Sequence, residues 1–312
     1  MQKGQKLKLI LPDLKIWLFL SLGFALLYAP VWFTPYLFLD EYSLFAQAIK
    51  GTLYPELKRV VAGGRPVYAG ALCLGFGSID SITDFRFIRL ISIFGIATTA
   101  WVFYLFLSRA GWSQKTALAC SFILGTMPPF QVYASWAMCF LHSWVTAITG
   151  LSVYLINSTL NISLLWKRLG CFLAAMVILL IAFNIYQPAA MFFWVFAAIS
   201  LFGNKKLSFN INRYLVYYGM AFFLTAGFSF ILQRVFMSVY GDPGIFQRAK
   251  LTFDVVGKLK WFIREPLLNA LNFSKIQAQI SQNPLSDTKI IYLIPPRITS
   301  FSLSLSGLAW WG

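Results

Sequence analysis

A chain of 312 residues in which 12% are charged and 59% hydrophobic lies outside the range of soluble domains, where about a quarter of residues are charged. Its mean hydropathy of +0.70 and its long uncharged stretches are typical of a protein that crosses a membrane several times. The net charge of +16 is therefore interpreted as loop charge attracted to membrane lipids or to an anionic substrate, and no nucleic acid is expected as a partner.

Seven apolar segments are predicted to cross the membrane, since about 20 helical residues span a hydrocarbon core. The uncharged stretch from Leu169 to Asn204 is too long for one crossing, and Pro188 at its midpoint favours a turn by biasing Gln187 away from helix. The predicted spans lie near residues 16–38, 88–108, 115–133, 137–156, 168–185, 188–203 and 214–234. The sequence predicts an all-α polytopic membrane protein with a single transmembrane domain, residues 1–312.

Basic residues in short loops indicate the orientation of these spans, because short cytoplasmic loops carry an excess of Lys and Arg. With a cytoplasmic N-terminus, Lys15, Arg109 and Arg168 all lie inside, whereas the short outside turns near Ala134 and Gln187 carry no basic residue. The opposite orientation would place every short basic loop outside. The sequence therefore predicts a cytoplasmic N-terminus.

This topology leaves two long external segments, residues 39–87 and residues 235–289, and a possible partial or last span at 290–312. All of the acidic residues except Asp13 then lie on the external side. Acidic residues have little influence on topology, so this asymmetry needs another cause. It indicates a polar site at the outer membrane surface.

Two adjacent acids, Asp40 and Glu41, stand where the first predicted span reaches the outer surface. They either end a helix as ordinary polar residues or perform chemistry, since a carboxylate can take the proton of a hydroxyl that attacks an anomeric carbon. We favour Asp40 as the general base. Glu41 either shares the catalytic role or orders the loop or the acceptor.

The rest of the first external segment is predicted to fold back along the membrane as interfacial helices. Apolar residues at helical spacing between Leu44 and Ile49 indicate the first helix, which Gly51 can cap and beyond which Pro55 ends the region. Pro66 stands at a first helical position and opens an apolar helix that is too short to span.

Three arginines near this segment are candidates for binding a phosphate, because the forked guanidinium matches phosphate oxygens. Arg65 is displayed between two glycines and a proline, and Arg86 and Arg89 are spaced so that they share a helix face. Contact with lipid headgroups is the alternative for Arg86 and Arg89.

Three further candidates for substrate binding lie at the outer ends of later spans. His142 is the only histidine, and it either contacts substrate or bonds to a neighbouring helix. Tyr186 and Gln187 occupy a predicted external turn, where they either face the site or belong to the aromatic belt at the interface. The sequence shows no metal-ligand spacing, so no cofactor is expected, and a role for a divalent metal stays open.

The series LDEYSLF, GGRPVYAGAL, FRFIRLIS and FNIYQPAAMFF resembles the GT-C glycosyltransferases, and most of all the glucosyltransferase II-like (O-antigen glucosyltransferase) family, over roughly residues 15–240. The resemblance implies a GT-C-like bundle of about 7–8 transmembrane helices with interfacial helices in the first external loop. It implies a bacterial inner membrane protein with a periplasmic active site, an undecaprenyl-phosphate-linked glucose donor and a glycan acceptor such as O-antigen. It matches Asp40 to the catalytic carboxylate, Arg65 to the arginine of the GRP element, and Tyr186 and Gln187 to a pair facing the site.

Members of that family are usually longer, with further spans after the second external segment. The resemblance therefore implies that the chain is truncated or that its last span is atypical. Three other functions stay open: a transporter or flippase of lipid-linked sugars, a transferase of another sugar or an O-antigen polymerase, and a truncated non-catalytic homologue. Transporters usually place ionisable groups or broken helices near mid-membrane, so the clustering of charge at one membrane face favours the enzyme.

Overall fold

A computed structural model describes residues 14–38, 40–160, 162–203, 211–241 and 254–267, and these residues are almost entirely helical, with no strand among them. They belong to two compact units, the first within residues 1–248 and the second within residues 249–312. Most of the predicted second external segment, and all of the possible last span at 290–312, lie outside the described residues.

The described helices of the first unit are, in chain order, α1 (Leu14–Leu27), α2 (Ala29–Phe33), α3 (Glu41–Ile49), α4 (Tyr54–Ala62), α5 (Pro66–Phe76), α6 (Phe85–Arg109), α7 (Gln114–Thr126), α8 (Pro128–Ser135), α9 (His142–Thr159), α10 (Leu165–Ile185), α11 (Gln187–Ala190), α12 (Phe192–Gly203) and α13 (Ile211–Tyr240). Short 3₁₀ turns at Ile82–Asp84 and Ala137–Cys139 precede α6 and α9. In the second unit, Asp254 caps the start of α14 (Val255–Phe262) by accepting from the Gly257 N–H, and the helix continues into a π-helical turn, Ile263–Leu267.

Four segments of the described chain are long and apolar enough to cross a membrane: Ile82–Arg109, Ala137–Thr159, Leu165–Ile185 and Ile211–Tyr240. A fifth crossing results if α7 and α8, which meet at a 57° bend, form one span. Helices α1 and α5 and the segment Gln187–Gly203 are apolar but shorter. The all-helical class is thus confirmed for the described residues, four or five of their segments could span a membrane, and the count of seven or eight spans stays a prediction.

The first predicted span, 16–38, is not one helix in the structure. Helix α1 ends at Leu27, and the short α2 begins at Ala29 with a proline in its first turn. Proline cannot donate the backbone hydrogen bond that a continuous helix would need at Pro30. At the other end of the unit, residues 235–240, which were expected in the second external segment, continue α13.

The break predicted beside Pro188 lies one residue earlier than expected. Tyr186 is extended, with φ −158° and ψ 104°, whereas Gln187 is already the first residue of α11. A proline in the first turn of a helix removes an N–H that has no intrahelical partner there, so Pro188 is compatible with a helical Gln187.

The first loop, residues 39–87, contains three short helices, α3 to α5. Gly51, two residues after the end of α3, has φ +67°, and its N–H donates to the Ala48 carbonyl, so the expected glycine cap is confirmed. Pro66 opens α5 as predicted. Pro55, expected to end the region after the first interfacial helix, instead lies in the first turn of the next helix, α4, a position that proline suits.

Helices α6 and α9 pass each other in close contact, and this contact fixes the start of α9. A Cβ added to Gly95 would lie 2.3 Å from Ser143 Oγ, so a larger residue there would separate the helices. Ser143 Oγ donates to the Ser92 carbonyl at 2.9 Å, and Thr99 Oγ1 donates to the Ser143 carbonyl at 2.6 Å. These bonds hold the neighbouring His142 in place.

Candidate active site

One end of the first unit, here called the loop end, brings the first loop against the ends of several helices. We define it by Glu41 at the start of α3, Arg89 near the start of α6, Ser135 at the end of α8, His142 at the start of α9 and Tyr186 after α10. Glu41 contacts Arg89, Arg89 contacts Ser135, and His142 contacts Tyr186. The loop end therefore includes four of the eight candidates that the sequence indicated.

A buried ion pair fastens the first loop to the helices. The Glu41 Oε2 and Arg89 Nη2 atoms are 2.8 Å apart, and both side chains are 0% exposed. The same Oε2 accepts from the Phe38 N–H at 2.8 Å, and Oε1 accepts from the Ala137 N–H. Both oxygens of the carboxylate are thus engaged, and one side chain ties together the loop, α6 and the turn before α9.

The guanidinium of Arg89 has further partners that offset much of the cost of its burial, although its Nη1 is buried with no hydrogen-bond partner in the described part of the chain. Nη2 also donates to the Tyr36 carbonyl at 2.8 Å, and Nε donates to the Ser135 carbonyl at 3.2 Å. The guanidinium carbon lies 3.7 Å from the centre of the Tyr36 ring, within the range of cation–π attraction. Tyr36 in turn donates its hydroxyl to the Ser135 carbonyl at 2.8 Å. A buried cation needs such a set of acceptors.

Glu41 is poorly placed to act on a substrate. Burial raises the pKa of Glu41 above its usual range, and the Arg89 guanidinium and the N–H groups of Phe38 and Ala137 oppose this shift. Its oxygens point at these donors inside the protein. Of the two expectations for Glu41, the geometry fits a residue that orders the loop rather than one that shares the catalysis.

Asp40, the neighbour of Glu41, has the opposite environment. Its side chain is exposed and makes no capping hydrogen bond to α3, although it stands directly before that helix. Its backbone is held, because its carbonyl accepts from Ser43 Oγ at 2.9 Å and from the Leu44 N–H at 3.1 Å. The carboxylate of Asp40 is thus accessible to solvent, and the buried contacts of Glu41 fix the backbone next to it.

Four aromatic side chains, His142, Tyr133, Tyr186 and Tyr68, form what we call the aromatic cluster. The His142 ring is stacked on Tyr133 with 5.4 Å between centroids, and it meets Tyr186 edge-on at 3.9 Å. Tyr68 lies 5.6 Å from His142 and donates its hydroxyl to the Met138 carbonyl. Only His142 and Tyr186 of this cluster were expected at the site.

Arg65 stands directly before α5, the helix that carries Tyr68 of the aromatic cluster. Its side chain is half-buried. Its Nε is buried and has no hydrogen-bond partner in the described part of the chain. A buried donor without an acceptor is costly, so this atom is suited to an acceptor brought by a ligand.

The two glycines before Arg65 position it. Gly64 has φ +81°, and the N–H groups of Gly64 and Arg65 donate to the carbonyls of Val61 and Val60, which closes the end of α4. A Cβ on Gly64 would lie 2.5 Å from Gln233 Cγ, so α13 approaches the turn closely. The GGRP sequence is therefore a tight helix end that sets the direction of Arg65.

Arg86 and Gln187 stand apart from these contacts. Arg86 is exposed, with its guanidinium carbon 4.7 Å from the Phe87 ring, whereas Arg89 is enclosed. The two arginines therefore have different surroundings despite their spacing. Gln187 is half-buried at the start of α11, next to Tyr186. Within the described ranges, no group of three or more His, Cys, Asp or Glu side chains is arranged to hold a metal ion.

Comparison of the chain with protein-family profiles, with curated proteins and with solved structures finds no match in any of the three. The resemblance to GT-C glycosyltransferases is consequently an inference from short sequence elements only. The chemical groups of this region are the exposed carboxylate of Asp40 beside the buried ion pair, the Arg65 guanidinium with one unpaired donor, and the aromatic cluster around His142.

Proposed function

We propose that the chain is a membrane-embedded glycosyltransferase that moves a hexose, which the resemblance implies to be glucose, from undecaprenyl phosphate to a cell-surface glycan such as O-antigen. The observation that carries the proposal is the contrast between Asp40, which is exposed, and Glu41, which is locked to Arg89. General-base catalysis needs a carboxylate that is accessible to a substrate hydroxyl and fixed in position. The proposal includes a bacterial inner membrane location with the loop end on the periplasmic face.

In the proposed reaction, Asp40 accepts the proton of a hydroxyl group of the acceptor glycan, and the oxygen of that hydroxyl attacks the anomeric carbon of the donor. The bond from that carbon to the phosphate oxygen breaks, the lipid phosphate leaves with the bonding electrons, and the configuration inverts. Arg65 stabilises the charge of the leaving phosphate, for which its forked donors are suited. Tyr186 and His142 supply an aromatic wall with few polar groups, as is typical of small-ligand sites.

The proposal gives Glu41 and Arg89 a positioning role. Arg89 was one of the candidates for the donor phosphate, but three of its contacts are to Glu41, Tyr36 and Ser135, and its side chain is fully enclosed. The phosphate is therefore assigned to Arg65, with the exposed Arg86 as a second cation at the surface. Because Gln187 follows Tyr186 directly in the chain, the proposal retains a contact between Gln187 and the substrate.

The test is sugar transfer in membranes that contain the full chain, with radiolabelled undecaprenyl-phosphate glucose as donor and host lipopolysaccharide as acceptor. Asp40→Asn should lower the rate by about 10²–10⁴-fold, the range that a general base contributes. Its apparent unfolding temperature should stay unchanged, since the Asp40 side chain makes no capping bond. The matched control is Asp80→Asn, an exposed acid of the same loop, which should retain activity.

Near-normal transfer by Asp40→Asn would contradict the assignment of Asp40 as the general base. A rate that falls equally in Asp80→Asn would show a general effect of loop charge. Arg65→Ala should raise the donor KM by about 10–100-fold, as expected for loss of a hydrogen bond to a charged group, and an unchanged KM would contradict the phosphate role.

A specific observation favours a transporter of lipid-linked sugars as the second candidate. Apolar helices are broken at the 57° bend between α7 and α8 and at the extended Tyr186, and His142 contacts Tyr186. Broken helices beside a polar group are typical of transporter sites. Movement of a fluorescent lipid-linked sugar across proteoliposomes that His142→Ala abolishes, with no transfer to any acceptor, would favour this candidate over the enzyme.

A further inference from the structure

A groove of about 380 Å³ lies between α4, α5 and the end of α13, and Pro66, the residue after Arg65, is part of its lining. Ala69, Gly70 and Cys73 line it on one face of α5. Tyr68 and Leu72, on the other face of α5, are buried, and Tyr68 belongs to the aromatic cluster. Helix α5 therefore separates the groove from the aromatic cluster.

The groove is apolar, has a small-residue floor and opens to the surroundings. A Cβ added to Gly70 would meet nothing within 4 Å, so space is open above this position. Tyr54 and Tyr240, on opposite walls, are 70% and 38% exposed, and Cys73 is exposed as well. Its volume lies near the lower end of the range for small-ligand sites, about 300–1,000 Å³. The first loop is expected to lie along the membrane interface, where lipids reach such a surface.

Lys58 is the charged residue that lines the groove, and it is exposed. In the described part of the chain its ammonium forms no salt bridge, whereas the adjacent Arg59 pairs with Glu56 at 2.5 Å. Lysine binds phosphate groups as a point charge, and basic residues near a membrane surface attract anionic lipids. An apolar groove with one unpaired cation at its wall complements a hydrocarbon chain attached to an anionic head.

We propose that the groove binds one acyl chain of an anionic glycerophospholipid, whose phosphate pairs with the Lys58 ammonium. This lipid is distinct from the sugar donor, since α5 lies between the groove and the aromatic cluster. Its binding does not depend on the proposed enzymatic activity.

The first test is native mass spectrometry of the purified full chain with an equimolar mixture of phosphatidylglycerol and phosphatidylcholine. Phosphatidylglycerol should be retained about fivefold more strongly, as expected for one lysine near a lipid phosphate. Lys58→Ala should remove this preference. Lys50→Ala is the matched control, because Lys50 is an exposed lysine of the same loop that does not line the groove, and it should retain the preference.

The second test fills the groove. Gly70→Leu should abolish retention of phosphatidylglycerol, whereas Gly227→Leu, where α13 also leaves open space around a glycine, should not. Diacylglycerol, which lacks the phosphate, should bind no more strongly in the parent chain than in Lys58→Ala, and inorganic phosphate alone should not compete with the phospholipid.

Five outcomes would overturn the proposal: equal retention of the two phospholipids by the parent chain, loss of the preference in Lys50→Ala, retention in Gly70→Leu, displacement by inorganic phosphate, or binding of undecaprenyl phosphate in place of phosphatidylglycerol. The last outcome would mean that the groove is a donor site.

Discussion

The two ends of the helix bundle hold their polar groups in different ways. At the loop end, Glu41 and Arg89 form a charged pair with no exposed surface. At the other end of α9, which we call the opposite end and define by Asn157, Ser200 and Tyr218, the bonds join neutral groups. Tyr218 donates its hydroxyl to Asn157 Oδ1, and Asn157 Nδ2 donates to Ser200 Oγ at 3.2 Å.

The difference indicates what each end requires. Neutral hydrogen bonds hold helices together at a modest net gain, about 1 kcal/mol each. A buried ion pair loses the hydration of both ions and is rarely the most stable way to fill a core, so its value lies in fixing one arrangement. At the loop end that arrangement is the position of the first loop and, with it, of the exposed Asp40.

The largest effect should follow from breaking the charged pair on one side. Glu41→Leu leaves Arg89 buried without its carboxylate, and removal of one partner of a buried pair destabilises by about 3–5 kcal/mol. The measurement is the apparent free energy of unfolding in detergent. Sugar transfer should be lost with it, because the loop that carries Asp40 loses its anchor.

The control is the exposed pair of the same loop. Glu56→Gln removes the partner of Arg59, which is 62% exposed, and should change stability by less than about 1 kcal/mol. The double variant Glu41→Leu/Arg89→Met leaves no buried charge and should regain most of the stability but not the transfer. Regained transfer would show that the pair has no positioning role, and equal losses for Glu41→Leu and Glu56→Gln would refute the comparison.

At the opposite end the expected effect is smaller. Tyr218→Phe removes the hydroxyl that donates to Asn157 but leaves the fully buried ring in place, so it should cost about 1 kcal/mol. Sugar transfer, measured below the unfolding temperature, should be unchanged, since Tyr218 lies at the other end of α9. A loss of transfer that exceeds the loss of folded protein would mean that the two ends are coupled.

Much of the fold could be predicted from the sequence, because the patterns that indicate helices and their ends involve residues close together in the chain. Long uncharged stretches predict apolar helices, and Gly51 and Pro66 mark a helix end and a helix start through backbone geometry alone. The errors are local as well. Pro55 suits a helix start as much as a helix end, and Tyr186 rather than Gln187 carries the break.

The contacts of the site were harder to predict, because they join residues that are far apart in the sequence. Glu41 and Arg89 are 48 positions apart, and no spacing rule distinguishes the enclosed Arg89 from the exposed Arg86 one turn earlier. Tyr68 and Tyr133 resemble many other aromatic residues of apolar segments until packing brings them to His142. Adjacent acids could be recognised as unusual, but their opposite environments depend on the fold.

The smallest effect concerns the pH dependence of the loop end. Because burial raises the pKa of Glu41 above the ordinary value of 4.5, the folded chain holds this proton at pH values where the unfolded chain has lost it. The free energy of unfolding should therefore fall as the pH rises from about 4.5 through the folded-state pKa. Arg89 and two backbone N–H groups oppose the shift, which keeps the effect small.

The measurement compares the unfolding temperature of the parent chain with that of Glu41→Gln from acidic to neutral pH, because titration of the other acids cancels in the difference. The parent chain should unfold at a higher temperature than Glu41→Gln at acidic pH, and this difference should shrink as the pH rises. An advantage that grows with pH would show that Arg89 and the backbone donors outweigh burial and favour the ionised carboxylate. Attraction between the charges of Glu41 and Arg89 would then exceed the cost of burying them. The loop end would differ from the opposite end in the strength of its polar contacts as well as in their geometry.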